Sequence, residues 1–250
     1  MIVYILRFSI SSAFLAYALV CDVMKREVPD QVWLVSIPAC LLLDCVAVSL
    51  GNTDLASILV SLGIALLIGS LLCFLGFYGG ADAKALLLIS AATPSYLPGA
   101  SLFAMNVLPL PILFVFFCST LFSSSYPLTV LTLNLVDFLR GERLLQGIEG
   151  SWLGRLVLYA TARRVKLEDM RGSLRYFPAE KVVVEDGKAR RKPLYFVHAE
   201  ANLDEQVEKL EEHKELLNDG VLASPTIPMI VFLTAGFVFS NLVILWASFN

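Results

Sequence analysis

The sequence predicts an all-α, multi-pass membrane protein of about six transmembrane helices, with a small mixed α/β cytoplasmic domain before the last helix. Hydrophobic residues make up 57% of the 250 residues and the mean hydropathy is +0.74, far above what the core of a soluble domain requires. The basic residues are concentrated in one segment. Residues 1–139 hold four Lys or Arg, residues 140–222 hold fifteen, and the last 28 residues hold none.

The charge balance limits the class of partner. The formal net charge is −3, and residues 140–222 hold fifteen acidic residues beside their fifteen basic ones. A nucleic-acid-binding domain needs a basic surface, so the sequence excludes nucleic acid as a partner. The lipid bilayer is the expected surrounding.

The cysteines and histidines form no recognisable site. The five cysteines lie in or at the ends of apolar runs, and none forms a C-x-x-C pair. His198 and His213 stand alone in the polar segment. These side chains are interpreted as packing and surface residues, and neither a metal nor a cofactor is expected.

Three early apolar runs, 2–21, 31–50 and 55–77, are long enough to be membrane spans. About 20 mostly apolar residues cross the roughly 30 Å of hydrocarbon in a bilayer. A fourth run, 83–93, is short, and the Pro and Gly residues of segment 93–99 are typical of a turn.

The later runs are less regular. Residues 101–139 are apolar but contain Pro109, Pro111 and Pro127, so they predict either one long kinked helix or a tight hairpin. The final run, 226–248, predicts a clear span.

Positive charge decides between these alternatives. Lys25 and Arg26 lie in the first short loop, and Arg140 and Arg143 directly follow the long run. Cytoplasmic loops are enriched in Lys and Arg, so both places are expected inside. One span in 101–139 satisfies both, which gives six helices and an outside amino terminus.

This topology divides the chain into three parts. Residues 1–139 hold helices one to five with the candidate site, residues 140–222 form the cytoplasmic domain, and residues 223–250 hold the sixth helix. In the polar part, 182–184 and 194–197 flank a polar turn and predict two short strands.

A charged helix is predicted over 203–218, with Asn202 as its cap. Its apolar residues recur along one side. They are Leu203, Val207, Leu210 and Leu217.

Two acidic residues stand out, because an ionisable group at a helix centre costs about 2.5–3.5 kcal/mol in a membrane. Asp22 directly follows the first run, and Asp82 lies in Gly79-Gly80-Ala81-Asp82 between the third and fourth runs. Both are expected on the cytoplasmic side. Asp44 and Asp54 fall on the opposite side and are expected to matter little for the chemistry.

Two facing carboxylates are suited to peptide hydrolysis. Repulsion between two negative charges disfavours ionisation of both, so one is charged while the other keeps its proton. The charged one takes a proton from water while the neutral one donates to the scissile carbonyl. Gly79 and Gly80 would leave room for a substrate backbone and permit a non-helical conformation.

The residues alone leave a second interpretation open. Asp22 and Asp82 would then be solvated residues at helix ends, Gly79-Gly80 an ordinary turn, and Lys84 a side chain that reaches the surface.

Two motifs resemble the paired signature of the GxGD membrane aspartic peptidases. They are Asp22-x-x-x-Arg26-Glu27-x-x-Asp30 after the first helix and Gly79-Gly80-Ala81-Asp82-Ala83-Lys84 before the fourth. Within that group the chain is most similar to the archaeal preflagellin (prearchaellin) peptidases, relatives of the type IV prepilin peptidases. The six-helix plan and Ser224-Pro225-x-Ile227-Pro228 before the last helix extend the similarity over nearly the whole chain. Ala81 replaces the second glycine of G-x-G-D.

The resemblance implies an aspartic endopeptidase with Asp22 and Asp82 as its catalytic pair. Its substrates would be archaellin or type IV pilin-like precursors with short basic leaders, cut at the cytoplasmic face just ahead of their hydrophobic segment. Glu27 and Asp30 are expected to meet the basic leader. Gly79, Gly80 and Lys84 complete the expected substrate-binding residues.

A small ion or proton transporter is the alternative function, with Asp22, Asp82 and Lys84 lining its path. Their expected location near helix ends favours a surface site over one at the membrane midplane. An inactive scaffold subunit of a secretion machine is a third possibility, which an activity assay would separate from the enzyme.

Overall fold

The computed structural model describes residues 1–97, 107–148, 151–170, 176–185, 188–194, 203–217 and 220–249. Its helices are α1 (Ile2–Lys25), α2 (Asp30–Ser49), α3 (Leu55–Phe74), α4 (Gly80–Ala92), α5 (Pro111–Leu139), α6 (Trp152–Thr161), α7 (Leu167–Met170), α8 (Leu203–Glu211) and α9 (Met229–Phe249). Its strands are β1 (Arg163–Val165), β2 (Tyr176–Pro178), β3 (Glu180–Glu185), β4 (Lys188–Pro193) and β5 (Val221–Pro225). A short 3₁₀-helix covers Lys214–Leu217.

Among the described residues, five helices are long and apolar enough to cross a membrane: α1, α2, α3, α5 and α9. Helix α4 has 13 residues, and at about 1.5 Å per residue it is only about 20 Å long. It corresponds to the short fourth run of the six predicted from the sequence. The predicted class of multi-pass helical membrane protein is confirmed.

The long proline-containing run forms one helix over its described part. Helix α5 is continuous from Pro111 to Leu139 with Pro127 inside it, so the hairpin alternative does not apply there. Residues 101–106, and Pro98 and Gly99 of the predicted turn, lie outside the described residues.

The chain divides into two compact units, each with its own internal contacts. The first contains residues 1–123 and 228–250, and the second contains residues 124–227. The boundaries predicted at 139/140 and 222/223 follow hydropathy rather than packing, and they stay a prediction about where the chain leaves the membrane.

Helix α4 is the most enclosed helix of the first unit. It packs against α1, α2, α3 and α9, and residues Leu86, Leu88 and Ile89 are fully buried. A helix that is apolar on all sides is stable only where neighbours cover every side. Gly69 of α3 lets α4 approach closely, since a Cβ at that position would lie 3.2 Å from the Ala83 Cβ.

Helices α5 and α9 also meet through a glycine. A Cβ at Gly236 would lie 2.1 Å from Ser119 Oγ and 2.7 Å from the Ser119 backbone nitrogen. No side chain fits in that space. Small residues at such contacts let membrane helices pack backbone to backbone, where apolar burial gives little driving force.

Two pairs of polar side chains meet between the membrane helices. Arg7 of α1 forms a buried ion pair with Asp44 of α2. The Tyr4 hydroxyl donates to Asn241 Oδ1 at 2.6 Å, and Asn241 Nδ2 donates to the Phe237 carbonyl at 2.7 Å. Asp44, expected to matter little for the chemistry, is therefore part of the membrane core.

The second unit contains a small antiparallel sheet of strand order β1-β5-β2. Val207, Leu210 and Leu217 share a core with Val221 and Ala223 of β5. The helix predicted over 203–218 is shorter in the structure, because α8 ends at Glu211 and Leu217 lies in the 3₁₀-helix that follows. The predicted apolar side is nevertheless buried at these three positions. Asn202 lies outside the described residues, and the Leu203 side chain is likewise not described.

The first strand of the predicted pair is confirmed, and its observed partner lies earlier in the chain than the predicted 194–197. Strand β3 contains 182–184, but its partner β4 is Lys188–Pro193, with Glu185 paired to Lys188. Leu194 follows the strand, and 195–197 lie outside the described residues. The apolar pattern does not predict β4, because its sequence is basic. Residues 188–193 form a strand through their pairing with β3.

A buried ion pair fixes this hairpin. Arg191 Nε and Nη2 each donate to a Glu180 carboxylate oxygen at 2.7 Å. The same carboxylate accepts the Leu222 N–H at 2.6 Å, and Arg191 Nη2 also donates to the Gly220 carbonyl at 2.9 Å. Strands β3, β4 and β5 are thus joined through one charge pair.

We expect Asp44→Leu to destabilise the protein strongly, because it leaves the buried Arg7 charge without its partner. Removing one member of a buried pair costs about 3–5 kcal/mol, whereas replacing both by apolar residues is often neutral. The double variant Arg7→Met/Asp44→Leu should therefore recover most of the lost stability. Thermal unfolding in detergent measures both, and Asp54→Asn, which keeps an acceptor for Ser57 N–H at the start of α3, is the control. Equal stability of Asp44→Leu and wild type would contradict the role of the pair.

Candidate active site

The end of α1 places Asp22 and turns the chain. Arg26 closes the helix in the left-handed conformation, with φ 57° and ψ 18°, and its N–H donates to the Asp22 carbonyl at 3.0 Å. This conformation is uncommon for a residue with a side chain. The turn puts Glu27, Val28 and Asp30 beside the last turn of α1, where Asp22 lies.

The start of α4 places Asp82. Its Oδ2 accepts the Gly79 N–H at 3.0 Å, and its own N–H donates to the Gly79 carbonyl at 3.1 Å. An acidic side chain in the first turn of a helix satisfies a backbone donor that the helix itself cannot. The Asp82 carboxylate is therefore held in one orientation.

The structure brings the two predicted carboxylates together. Asp22 and Asp82 line one pocket of about 610 Å³, and they are close enough for their charges to act on each other. Asp22 Oδ2 is buried, and among the described residues it has no hydrogen-bond partner. A buried carboxylate oxygen without a protein partner is free to bind water or substrate.

Gly79 and Gly80 also line this pocket. Gly79 is extended, with φ −85° and ψ 167°, and Gly80 begins the helix. Neither conformation requires glycine, so the conformational reason expected from the sequence does not apply. A Cβ at Gly80 would meet nothing within 4 Å, and one at Gly79 would lie 3.7 Å from Asp82 Oδ2. Side chains here would take up space in the pocket itself.

The remaining predicted residues separate into two kinds. Glu27 and Asp30 line the pocket, whereas Lys84 does not. Lys84 Nζ instead donates to Asp30 Oδ1 at 2.6 Å, with the two side chains 41% and 70% exposed. The charge of Asp30 is therefore partly neutralised, while Glu27 is exposed at the pocket.

Tyr78 was not singled out from the sequence. It is buried beside Gly79. Burial raises the pKa of Tyr78 above its ordinary value, and the negative charge of Asp82 acts in the same direction. The Tyr78 hydroxyl consequently stays protonated next to the site. In the sequence, Tyr78 directly follows the apolar run 55–77, and a tyrosine in that position is typical of a packing residue.

Gln31 was also missed, and it connects the pocket to a second space. An apolar groove of about 590 Å³ lies between α1 and α2 and is lined by Ala13, Phe14, Tyr17, Pro29, Gln31 and Val32. Gln31 lines the carboxylate pocket as well. An apolar surface and the two carboxylates are therefore adjacent.

Comparisons with known proteins give a family match for each of two parts of the chain. Residues 9–128, which contain both aspartates, match the type IV leader peptidase family. Residues 154–244 match the C-terminal type II model of archaeal peptidase A24. No curated protein and no solved structure matches the chain. The two family matches are separated by residues 129–153 and together span most of the sequence, so the chain belongs to the type IV leader peptidase family, with the C-terminal part of its archaeal members.

Proposed function

We propose that the protein is a GxGD-type aspartic endopeptidase that uses Asp22 and Asp82 to remove short basic leaders from archaellin or type IV pilin-like precursors. The observation that carries the proposal is the shared pocket, because sixty residues of sequence separate the two carboxylates that line it. Family membership supports leader-peptide cleavage as the reaction.

The pair divides the acid–base work of hydrolysis. The ionised carboxylate takes a proton from water as the water oxygen attacks the scissile carbonyl carbon, and the neutral carboxyl donates its proton to the carbonyl oxygen. The tetrahedral intermediate then collapses. Its C–N bond breaks as the leaving nitrogen takes the proton that the first carboxylate received from water. A hydroxyl proton of the intermediate passes to the second carboxylate, so the pair again has one charged and one neutral member.

The apolar groove supports a substrate with a hydrophobic segment next to the scissile bond. A segment that follows the cleavage point would lie against Phe14, Tyr17 and Val32, while the bond itself reaches the carboxylates past Gln31. A path for small ions would not need an apolar groove beside it, so this arrangement favours the peptidase over the transporter.

The leader is proposed to meet the acidic wall of the pocket. Glu27 is the acid best placed for a leader Lys or Arg, because Asp30 is already paired with Lys84. The proposed side of the membrane is cytoplasmic, since Lys25 and Arg26 flank the pocket in sequence and Arg140 and Arg143 follow α5.

We expect Asp22→Asn and Asp82→Asn each to abolish processing, because each removes half of the acid–base pair. The loss should exceed about 10²-fold, the lower end for general acid–base catalysis. Both variants should fold, since Asn at 82 still offers an oxygen to the Gly79 N–H and Asp22 Oδ2 has no partner to lose. The measurement is the shortening of a basic-leader precursor by reconstituted protein, with thermal unfolding to confirm the fold.

Asp54→Asn is the matched control for the loss of a carboxylate, and it should process normally. Substantial cleavage by either Asp22→Asn or Asp82→Asn would remove that residue from the mechanism. A wild-type protein that cleaves no precursor would favour the scaffold alternative.

For leader recognition, we expect Glu27→Gln to raise the KM for Lys-leader precursors by a few fold with little change in kcat. A contact with a leader charge in an open pocket is worth about 0–1 kcal/mol. Asp30→Asn should have a smaller effect, and Lys84→Gln should lower the KM because it frees Asp30. Added salt should reduce all three differences. If Lys and Gln leaders are discriminated equally by wild type and Glu27→Gln, the leader is recognised elsewhere.

For topology, we expect residues 140–222 to be shielded from outside in intact cells. In a Cys45→Ser background, a thiol at Ala189→Cys should react with a membrane-impermeant maleimide only after permeabilisation. A thiol at Asn52→Cys, in the loop between α2 and α3, should react in intact cells and serves as the control. Labelling of position 189 from outside would refute the six-span topology.

A further inference from the structure

Helix α6 has an apolar face that the rest of the protein leaves open. Trp152, Leu153, Leu156 and Val157 are between 47% and 74% exposed, while Gly154 and Leu158 on the other side are buried. Positions 152, 153, 156 and 157 lie on adjacent rows of a helix and form one continuous stripe. The only charged residue in this helix, Arg155, lies off that stripe.

The place of α6 is fixed by hydrogen bonds to a membrane helix. Asn134 Nδ2 of α5 donates to the Tyr159 carbonyl at 2.8 Å and to the Ala162 carbonyl at 2.7 Å. Arg163 Nη2 pairs with Asp137 Oδ2 at 2.7 Å. Asn134 and Asp137 lie in the last turns of α5, which ends at Leu139. At 1.5 Å per residue, the end of α6 is therefore within about 8 Å of the end of α5 along its axis.

This depth is that of the membrane interface. Amphipathic helices that lie in the plane of a membrane bury their apolar face about 5–10 Å into the boundary of headgroups and acyl chains. The end of α5 has its own exposed apolar residues, Leu135, Val136 and Phe138. Exposed apolar side chains therefore occur on both of the helices that Asn134 joins.

The charges around α6 fit the same surface. Arg140, Arg143 and Arg155 are exposed, with Glu142 as the acidic residue between the first two. Arginines near a bilayer attract anionic headgroups. Tryptophan is enriched at membrane interfaces, where its ring is apolar and its N–H reaches water.

We propose that α6 is an interfacial helix whose stripe, Trp152, Leu153, Leu156 and Val157, inserts into the bilayer beside the end of α5, with the three arginines at anionic lipid headgroups. This assignment concerns membrane docking of the 124–227 unit and is independent of the catalytic proposal.

The test uses the full chain reconstituted in vesicles of phosphatidylcholine and phosphatidylglycerol, with and without lipids brominated near the headgroup end of the acyl chain. The emission of Trp152 is isolated as the difference between wild type and Trp152→Phe. We expect blue-shifted emission that brominated lipid quenches strongly and aqueous acrylamide quenches little. The control is Val184→Trp in the Trp152→Phe background, which places a tryptophan at an exposed position of β3; it should be quenched by acrylamide instead.

Three results would overturn the assignment. Trp152 emission that responds to acrylamide and not to brominated lipid would show that the stripe faces water. A blue shift that disappears when the protein is diluted with excess lipid would show that a second copy of the chain covers the stripe. Equal lipid quenching at positions 152 and 184 would mean that α6 is not the docking element. Leu156→Glu should reduce the lipid quenching of Trp152, whereas Glu208→Gln, an exposed change on α8, should leave it unchanged.

Discussion

The enclosure of α4 is the constraint on which the candidate site depends. A short, largely apolar helix is held in place by its contacts with α1, α2, α3 and α9, which bury most of it from Ala85 onward. That arrangement fixes where α4 begins, and the beginning of α4 carries Asp82. The close approach of α3 at Gly69 and Ala83 lies one residue from the carboxylate, so the packing and the site share the same turn of helix.

The second member of the pair is positioned by α1, and the position of α1 is set largely at its other end. Arg7 and Asp44 hold α1 against α2 through a buried charge pair, and an ion pair of this kind can specify the register between two helices. A shift of α1 by one turn would separate the charges and move Asp22 by about 5 Å along the helix axis. Arg7, which pairs α1 with α2, and Asp22, which is proposed for the chemistry, thus lie near opposite ends of α1.

Much of this arrangement could be predicted from sequence, and the limits have physical reasons. The membrane spans could be predicted because about 20 apolar residues are needed to cross a bilayer. Asp22 and Asp82 could be identified as candidates because charges are rare near such spans. The Arg7–Asp44 pair was not, since nothing local links two residues 37 apart in the chain. Strand β4 was missed because it is held by Arg191 and by pairing to β3 rather than by its own hydropathy. Strands β1 and β2 have only three residues each, too few for a periodic pattern.

The one departure from the G-x-G-D motif has a structural explanation in the same turn. Ala81 is the second residue of α4 and adopts helical geometry, which any residue can adopt and which alanine favours over glycine by up to about 1 kcal/mol. Gly79, Gly80 and Ala81 all line the pocket. An added Cβ at Gly80 would meet nothing within 4 Å, and one at Gly79 would lie 3.7 Å from Asp82 Oδ2. The alanine therefore stands where the chain is already helical. The orientation of Asp82 depends on its hydrogen bond to the Gly79 N–H, which does not require a glycine at 81.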